Sequence, residues 1–403
     1  MRVLQDALES ALENVPEQIL DALLAKKLTE QKLQLTDKEI VRLRQAILAS
    51  PSDTPTVKSW RPRSRQSVSI RITGDEVDQA AGRLTERLPD IIEDVATQSA
   101  ERILGTLDRR WPTQRRHEAN AQRSFETRLR KRWGSGFQHL QMMLVIARGL
   151  GEGLNAELRR PGFPEPHKMD ILTRLHARGC QVTNEVIVLL KSGFADGAMA
   201  RWRTLHEIAT IALFISVHDD ELAERYSLHN VVESRRARRD YFACQERLGY
   251  EPMTASELHE LDATYEALLQ KYGQPFGEEY GWAAEVLRKK RPSFRDIECA
   301  AGIDHLRAHY RLASHNVHAN PKGVFFKLGL LEEDNVLLAG PSNTGLSEPG
   351  QCAAISLLQV SAPIVTIHPT LDGVVALRML QTIVDRTCDA FHKSRQQSAD
   401  DSA

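Results

Sequence analysis

Apolar positions recur three and four residues apart along most of the chain, the spacing that lays a stripe down one side of a helix. Val3, Leu4, Ala7, Leu8, Ala11 and Leu12 form one such stripe, and Thr36-Asp-Lys-Glu39 has the capping-box order that opens a second helix through Leu48. Residues 1–50 are therefore expected to make a helical hairpin. The period lapses in 51–67, where Pro, Ser and Arg gather, and a linker is expected there. Val68 to Ile72 alternates as a short strand does. Residues 75–111 return to helical spacing with a break expected at Pro89, since proline lacks the N–H and crowds the preceding turn.

Further helices are expected from Phe137 to Leu158 and, after the loop Pro161 to Pro164, from His167 to Lys191. Gly193 to Val217 becomes apolar on every side in its second half, the mark of a helix at the centre of a bundle. Asp219 to Leu248 and Thr254 to Lys271 follow as helices, then short pieces at Gly281 to Lys290 and Ser293 to Ala300. Val324 to Leu330 and Val336 to Leu338, joined by Glu332 to Asn335, carry the strongest β signal and predict a hairpin. Helices from Glu348 to Ile367, bent near Pro363, and from Leu371 to His392 complete the pattern, with a disordered tail from Ser394. The expected fold is all-α, a multi-helix bundle with one small β hairpin and an N-terminal helical module. Its divisions are 1–50, a linker at 51–67, a basic helical connector at 68–134, the main domain at 135–393 and a tail at 394–403.

The 403 residues are 41% hydrophobic and 27% charged with a net charge of -1, so no global field draws the chain to nucleic acid or membrane. Local charge is uneven. From Arg109 to Arg132 nine Arg or Lys face only Glu118 and Glu126, which suits either a nucleic-acid or acidic-partner surface or a solvated helix face. Few aromatic residues interleave them to stack bases. The five cysteines are scattered, without a Cys-x-x-Cys pair, as in a reducing cytoplasm. The apolar runs fall short of the roughly 20 residues that span a bilayer, so no membrane span is expected. Phosphate-cradling glycine loops, dinucleotide fingerprints, His-Glu-x-x-His and nucleophile elbows are missing, and no cofactor is expected.

Ile303 to Pro321, IDHLRAHYRLASHNVHANP, concentrates the candidate chemistry. On a helix, Ile303, Leu306, Tyr310, Ala313 and Val317 share an apolar stripe, while Arg307, Arg311, Ser314, His315 and His318 share a second. Guanidinium binds phosphate oxygens bidentately and imidazole exchanges protons near neutral pH, so the second stripe suits a phosphate. The same residues near a helix C-terminus also favour the helix dipole and its free carbonyls without any chemistry. His315 with His318, and His305 with His309, stand at spacings that can share a metal, but no carboxylate or cysteine lies at recognisable ligand spacing beside them. On the preceding apolar helix Arg203 and Glu207 lie one turn apart and can pair, either as a structural bridge or to orient Arg203 or a histidine.

Arg311 and His318 stand as Arg-x6-His, which resembles the signature of the HEPN superfamily of helical proteins, many of them metal-independent ribonucleases of bacterial defence and toxin systems. Arg203-x3-Glu207 followed by Ser314-x3-His318 and Pro321 resembles the bacterial domain-of-unknown-function family 5677 over roughly residues 135–345. The first resemblance implies cytoplasmic RNA cleavage, with Arg311 holding the scissile phosphate, His318 moving the proton, and a homodimer. The second implies a helical fold without an assigned activity. The alternative expectation is a non-catalytic interaction module that recruits a protein partner through its N-terminal helices, with the Arg, His and Glu side chains as bracing.

Overall fold

The computed structural model describes residues 12–31, 59–61, 64–68, 72–158, 164–330 and 337–401, with single positions besides among the first 70. The chain divides into two compact units, Met1–His117 and Glu118–Ala403. In the first, helix α1 (Val15–Glu30) buries Leu20, Leu23, Leu24 and Leu28 with Ile70 and Ile72. Lys27 Nζ lies 2.6 Å from Glu76 Oε1 beside this small core. Strands β1 (Ser59–Arg61) and β2 (Ser64–Val68) pair antiparallel. The strand expected from Val68 to Ile72 thus ends where it was to begin, because Ile70 and Ile72 are drawn onto α1. The N-terminal hairpin expected over Val3 to Leu12 and Thr36 to Leu48 lies largely outside the described residues.

Helix α2 (Gly74–Leu158) passes through Pro89 and Pro112. Both prolines are on exposed surface, where water meets the carbonyl that proline leaves unbonded, so the break expected at Pro89 does not occur.

The second unit continues with α3 (Pro166–Lys191), α4 (Ala195–Ser216), α5 (Asp220–Leu228), α6 (Asn230–Leu248), α7 (Ala255–Tyr272), α8 (Phe294–Ala300), α9 (Arg307–Val317), α10 (Pro321–Phe325), α11 (Ser347–Ile367) and α12 (Leu371–Asp401). Helix α4 packs against α3, α8, α9 and α11 and buries Trp202, Leu205, Ala209, Phe214 and Ile215. Its all-round apolar second half is explained by that central place. Trp202 Nε1 donates to Ser356 Oγ of α11 at 3.0 Å, which satisfies the indole inside the core. By length and composition α11 is apolar enough to cross a bilayer, yet 61% of its most apolar window is buried among these helices, as in a core helix.

Apart from the β1–β2 pair, the regular elements among the described residues are helical, and the fold is all-α. The hairpin expected over Val324 to Leu338 is not formed: Pro321–Phe325 is helix α10 and Leu328–Leu330 a 3-10 turn, while residues 331–336 lie outside the described part. Of its apolar run Leu328 is buried in the main core and Phe326 packs against it, while Val324 and Phe325 are exposed. The helix expected from Asp219 to Leu248 is divided at His229, whose buried ring reaches the Glu278 carbonyl at 2.9 Å. The tail expected from Ser394 is helical through Asp401, and Ser394 Oγ donates to the Arg132 carbonyl at 2.8 Å.

Candidate functional site

Helix α4 presents Arg203, His206 and Glu207 toward α8 and α9, three positions that share one side at helical spacing. Helix α8 starts at a capping box in which Ser293 and Asp296 satisfy each other's backbone N–H groups. Its apolar row Phe294, Ile297 and Ala301 has Glu298 standing within it, and that side chain is completely buried. Glu298 Oε1 lies 2.8 Å from His206 Nε2, and Oε2 accepts from Arg307 Nη1 of α9 at 2.9 Å. Burial lowers the pKa of His206 against the opposing pull of Glu298. The neutral ring donates from Nε2, and its buried Nδ1 has no hydrogen-bond partner among the described residues.

Tyr310 of α9 is the meeting point of the remaining groups. Its hydroxyl donates to Glu207 Oε1 at 2.6 Å, and its ring stacks on Phe294 at 5.1 Å between centroids. The guanidinium carbons of Arg203 and Arg307 lie 4.9 and 5.0 Å from the ring centroid. Arg203 Nε also sits 3.2 Å from Glu207 Oε1, an ion-pair contact. Burial, then the bond to Glu207, pushes the Tyr310 phenol up, so it stays protonated. Against the cost of burial, Tyr310 and Glu207 hold Arg203 above its ordinary value. Two guanidiniums face two carboxylates across a neutral imidazole, so the charges cancel within the cluster.

The residues singled out in the sequence separate into three places. Arg203, Glu207 and Arg307 enter this network. Ser314 and His315 are taken up locally: Ser314 Oγ donates to the Tyr310 carbonyl at 2.9 Å, and His315 Nδ1 accepts from Asn320 Nδ2 at 2.9 Å. Arg311 and His318 are exposed, and neither side chain has a hydrogen bond or ion pair among the described residues. The single helix expected through His318 stops at Val317. His318 has extended backbone, φ -103° and ψ 135°, because the chain is already turning into α10. Asn320 caps α10 by accepting from Gly323 N at 2.8 Å. Gly323 approaches so closely that a Cβ there would fall 1.9 Å from the His315 carbonyl oxygen. The stripe shared by Arg311 and His318 is therefore not carried on one continuous helix.

Sequence reasoning assigned no role to Glu298 and placed Tyr310 only as an apolar anchor. The signal for Glu298 was a carboxylate in the i, i+3, i+4, i+7 row otherwise made by Phe294, Ile297 and Ala301. Tyr310 offered none, since a phenol in an apolar stripe reads as core. Among the described residues no group of three or more His, Cys, Asp or Glu is placed to hold a metal ion.

No curated protein and no solved structure matches the chain. Residues 169–335, from α3 through α10 and including every member of the network, match the model of a family of unknown function, DUF5677.

Proposed function

We propose that the chain is a helical interaction protein in which the Arg203, His206, Glu207, Glu298, Arg307 and Tyr310 network is architectural, fixing α8 and α9 on α4. The observation that carries this reading is Glu298, completely buried and divided between His206 and Arg307. A carboxylate so placed has both oxygens engaged and is closed to a substrate, while removing it strands two donors. Glu298→Gln is expected to cost about 2–4 kcal/mol in thermal or urea unfolding. Arg311→Ala and His318→Ala are expected to leave the unfolding midpoint unchanged, as exposed positions do.

One observation favours a second reading, RNA cleavage without metal. Arg311 and His318 are exposed and make no hydrogen bond or ion pair among the described residues, whereas Arg203, Glu207, Arg307, Ser314 and His315 are committed within the fold. In that reading Arg311 holds the scissile phosphate, and His318 serves as general base or acid toward the 2′-hydroxyl or the leaving oxygen. Incubating the wild-type protein with single-stranded and hairpin RNA in the presence of a chelator separates the two. The interaction reading expects intact RNA; cleavage abolished by His318→Ala would overturn it.

A further inference from the structure

Helix α2 carries a polar repeat. In the first unit it runs Arg102, Thr106, Arg109, Thr113 and Arg116, in steps of four and three residues by turns. In the second unit Asn120, Arg123, Thr127 and Arg130 keep the same steps. Successive arginines are thus seven residues apart, about 10 Å along the helix axis, and all of them are exposed. Arg109 Nη2 donates to Thr106 Oγ1 at 3.2 Å, and none of these arginines is ion-paired with a carboxylate among the described residues. A merely solvated helix face balances its cations with carboxylates three or four residues away. Arg102, Arg109, Arg110 and Arg116 have none there. Apolar side chains in such steps would make the seam of a coiled coil, but guanidiniums in those places repel a second copy. Their complement is an anion repeated along a line.

The order of the rows around the helix says which. Thr106, Thr113, Asn120 and Thr127 form a middle row, with the arginines along one edge and Arg110, His117, Ser124 and Lys131 along the other. Glu101, Asp108, Glu118 and Glu126 all lie off these rows. Within the first unit alone, Arg102 to His117 supply all three. We propose that these rows of α2 bind double-stranded DNA in its major groove, the cationic edges on the two phosphate backbones and the middle hydroxyls and amide toward the base edges. A helix with its side chains is about 10–12 Å across and fits a B-form major groove about 12 Å wide. The major groove of duplex RNA is deep and narrow and does not admit it. The rows hold no Phe, Tyr or Trp on which the bases of a single strand would stack, and no apolar centre of the kind a protein partner buries.

The test uses the full chain and a short labelled DNA duplex of mixed sequence. Fluorescence anisotropy at low salt is expected to give a dissociation constant of about 10⁻⁶ M or below, weakening as salt rises. Arg109→Gln combined with Arg116→Gln should weaken binding at least about tenfold and reduce the slope of log K against log salt by about 2. Arg115→Gln combined with Arg239→Gln removes the same charge off the rows and should leave binding within about twofold of the wild type. All four positions are exposed, so helix content and thermal midpoint should stay unchanged in both proteins. Duplex RNA, single-stranded DNA and polyglutamate should each bind more weakly than duplex DNA. A wild type that does not bind, an equal loss in the two double variants, or binding to any of those three probes as tight as to duplex DNA would each overturn the proposal.

Discussion

Tyr310 shows how one side chain holds several elements. Its ring lies on Phe294 of α8 and under two guanidiniums, and its hydroxyl reaches α4 through Glu207. Arginine suits this position because a planar, weakly hydrated cation covers an aromatic face at small desolvation cost. His176 of α3 is a second buried group with a measurable consequence. Ser361 Oγ donates to the Leu357 carbonyl at 2.7 Å, which leaves it to accept from His176 Nε2 at 3.2 Å. Burial pushes the imidazole down to about 4, from an ordinary 6.5. The unfolded chain therefore binds this proton first as the pH falls. The stability it contributes is intact above the unfolded value and is lost progressively between 6.5 and about 4. The loss amounts to about 3 kcal/mol from this one group. In urea unfolding His176→Gln should show a shallower fall of the midpoint over that range than the wild type. Equal slopes would mean that the ring takes up its proton inside the fold.

Among elements, glycine lets α11 and α2 come close to α12. A Cβ on Gly350 of α11 would lie 2.4 Å from the Phe391 ring of α12, and one on Gly136 of α2 would lie 2.9 Å from the same ring. Phe391 is wholly buried and packs edge-on against Phe137, at 6.0 Å between centroids. Gly350→Ala should thus destabilise by about 1–3 kcal/mol, the cost of overpacking, although alanine favours the helix by itself. Phe391→Leu added to it should recover part of that loss, whereas Phe391→Leu alone destabilises. If the two costs simply add, the ring and the glycine do not share the contact. The end of α9 is decided in the same way, by neighbours: Asn320 and Gly323 shape α10, and the turn they need reaches back to His318.

For the whole chain, the division into two units coincides with a division of cores. The main core runs from Leu129 to Phe391, and the small one from Leu20 to Ile72 with no residue in common. A protein comprising residues 118–403 is therefore expected to unfold cooperatively, at the midpoint shown by this domain in the full chain. Differential scanning calorimetry of both proteins decides it. A fragment that loses its transition would show that the large core draws support from residues before 118.

The helical class, the buried place of α4 and the likeness to DUF5677 were legible in the sequence, because each depends on periodicity or on short spacings within one element. Arg203 and Glu207 were legible as a pair for the same reason, being one turn apart. Tertiary structure alone decided that Glu298, ninety-two residues beyond His206, closes the network, since such a partner is set by packing and not by spacing. It also decided that Val324 to Leu330 is not a strand: an apolar run that short suits a strand or a buried turn equally, and the core position available to Leu328 settles which forms. The fate of Arg311 and His318 was decided at the same level. Their shared stripe depended on one helix continuing through His318, and the capping of α10 ends α9 at Val317.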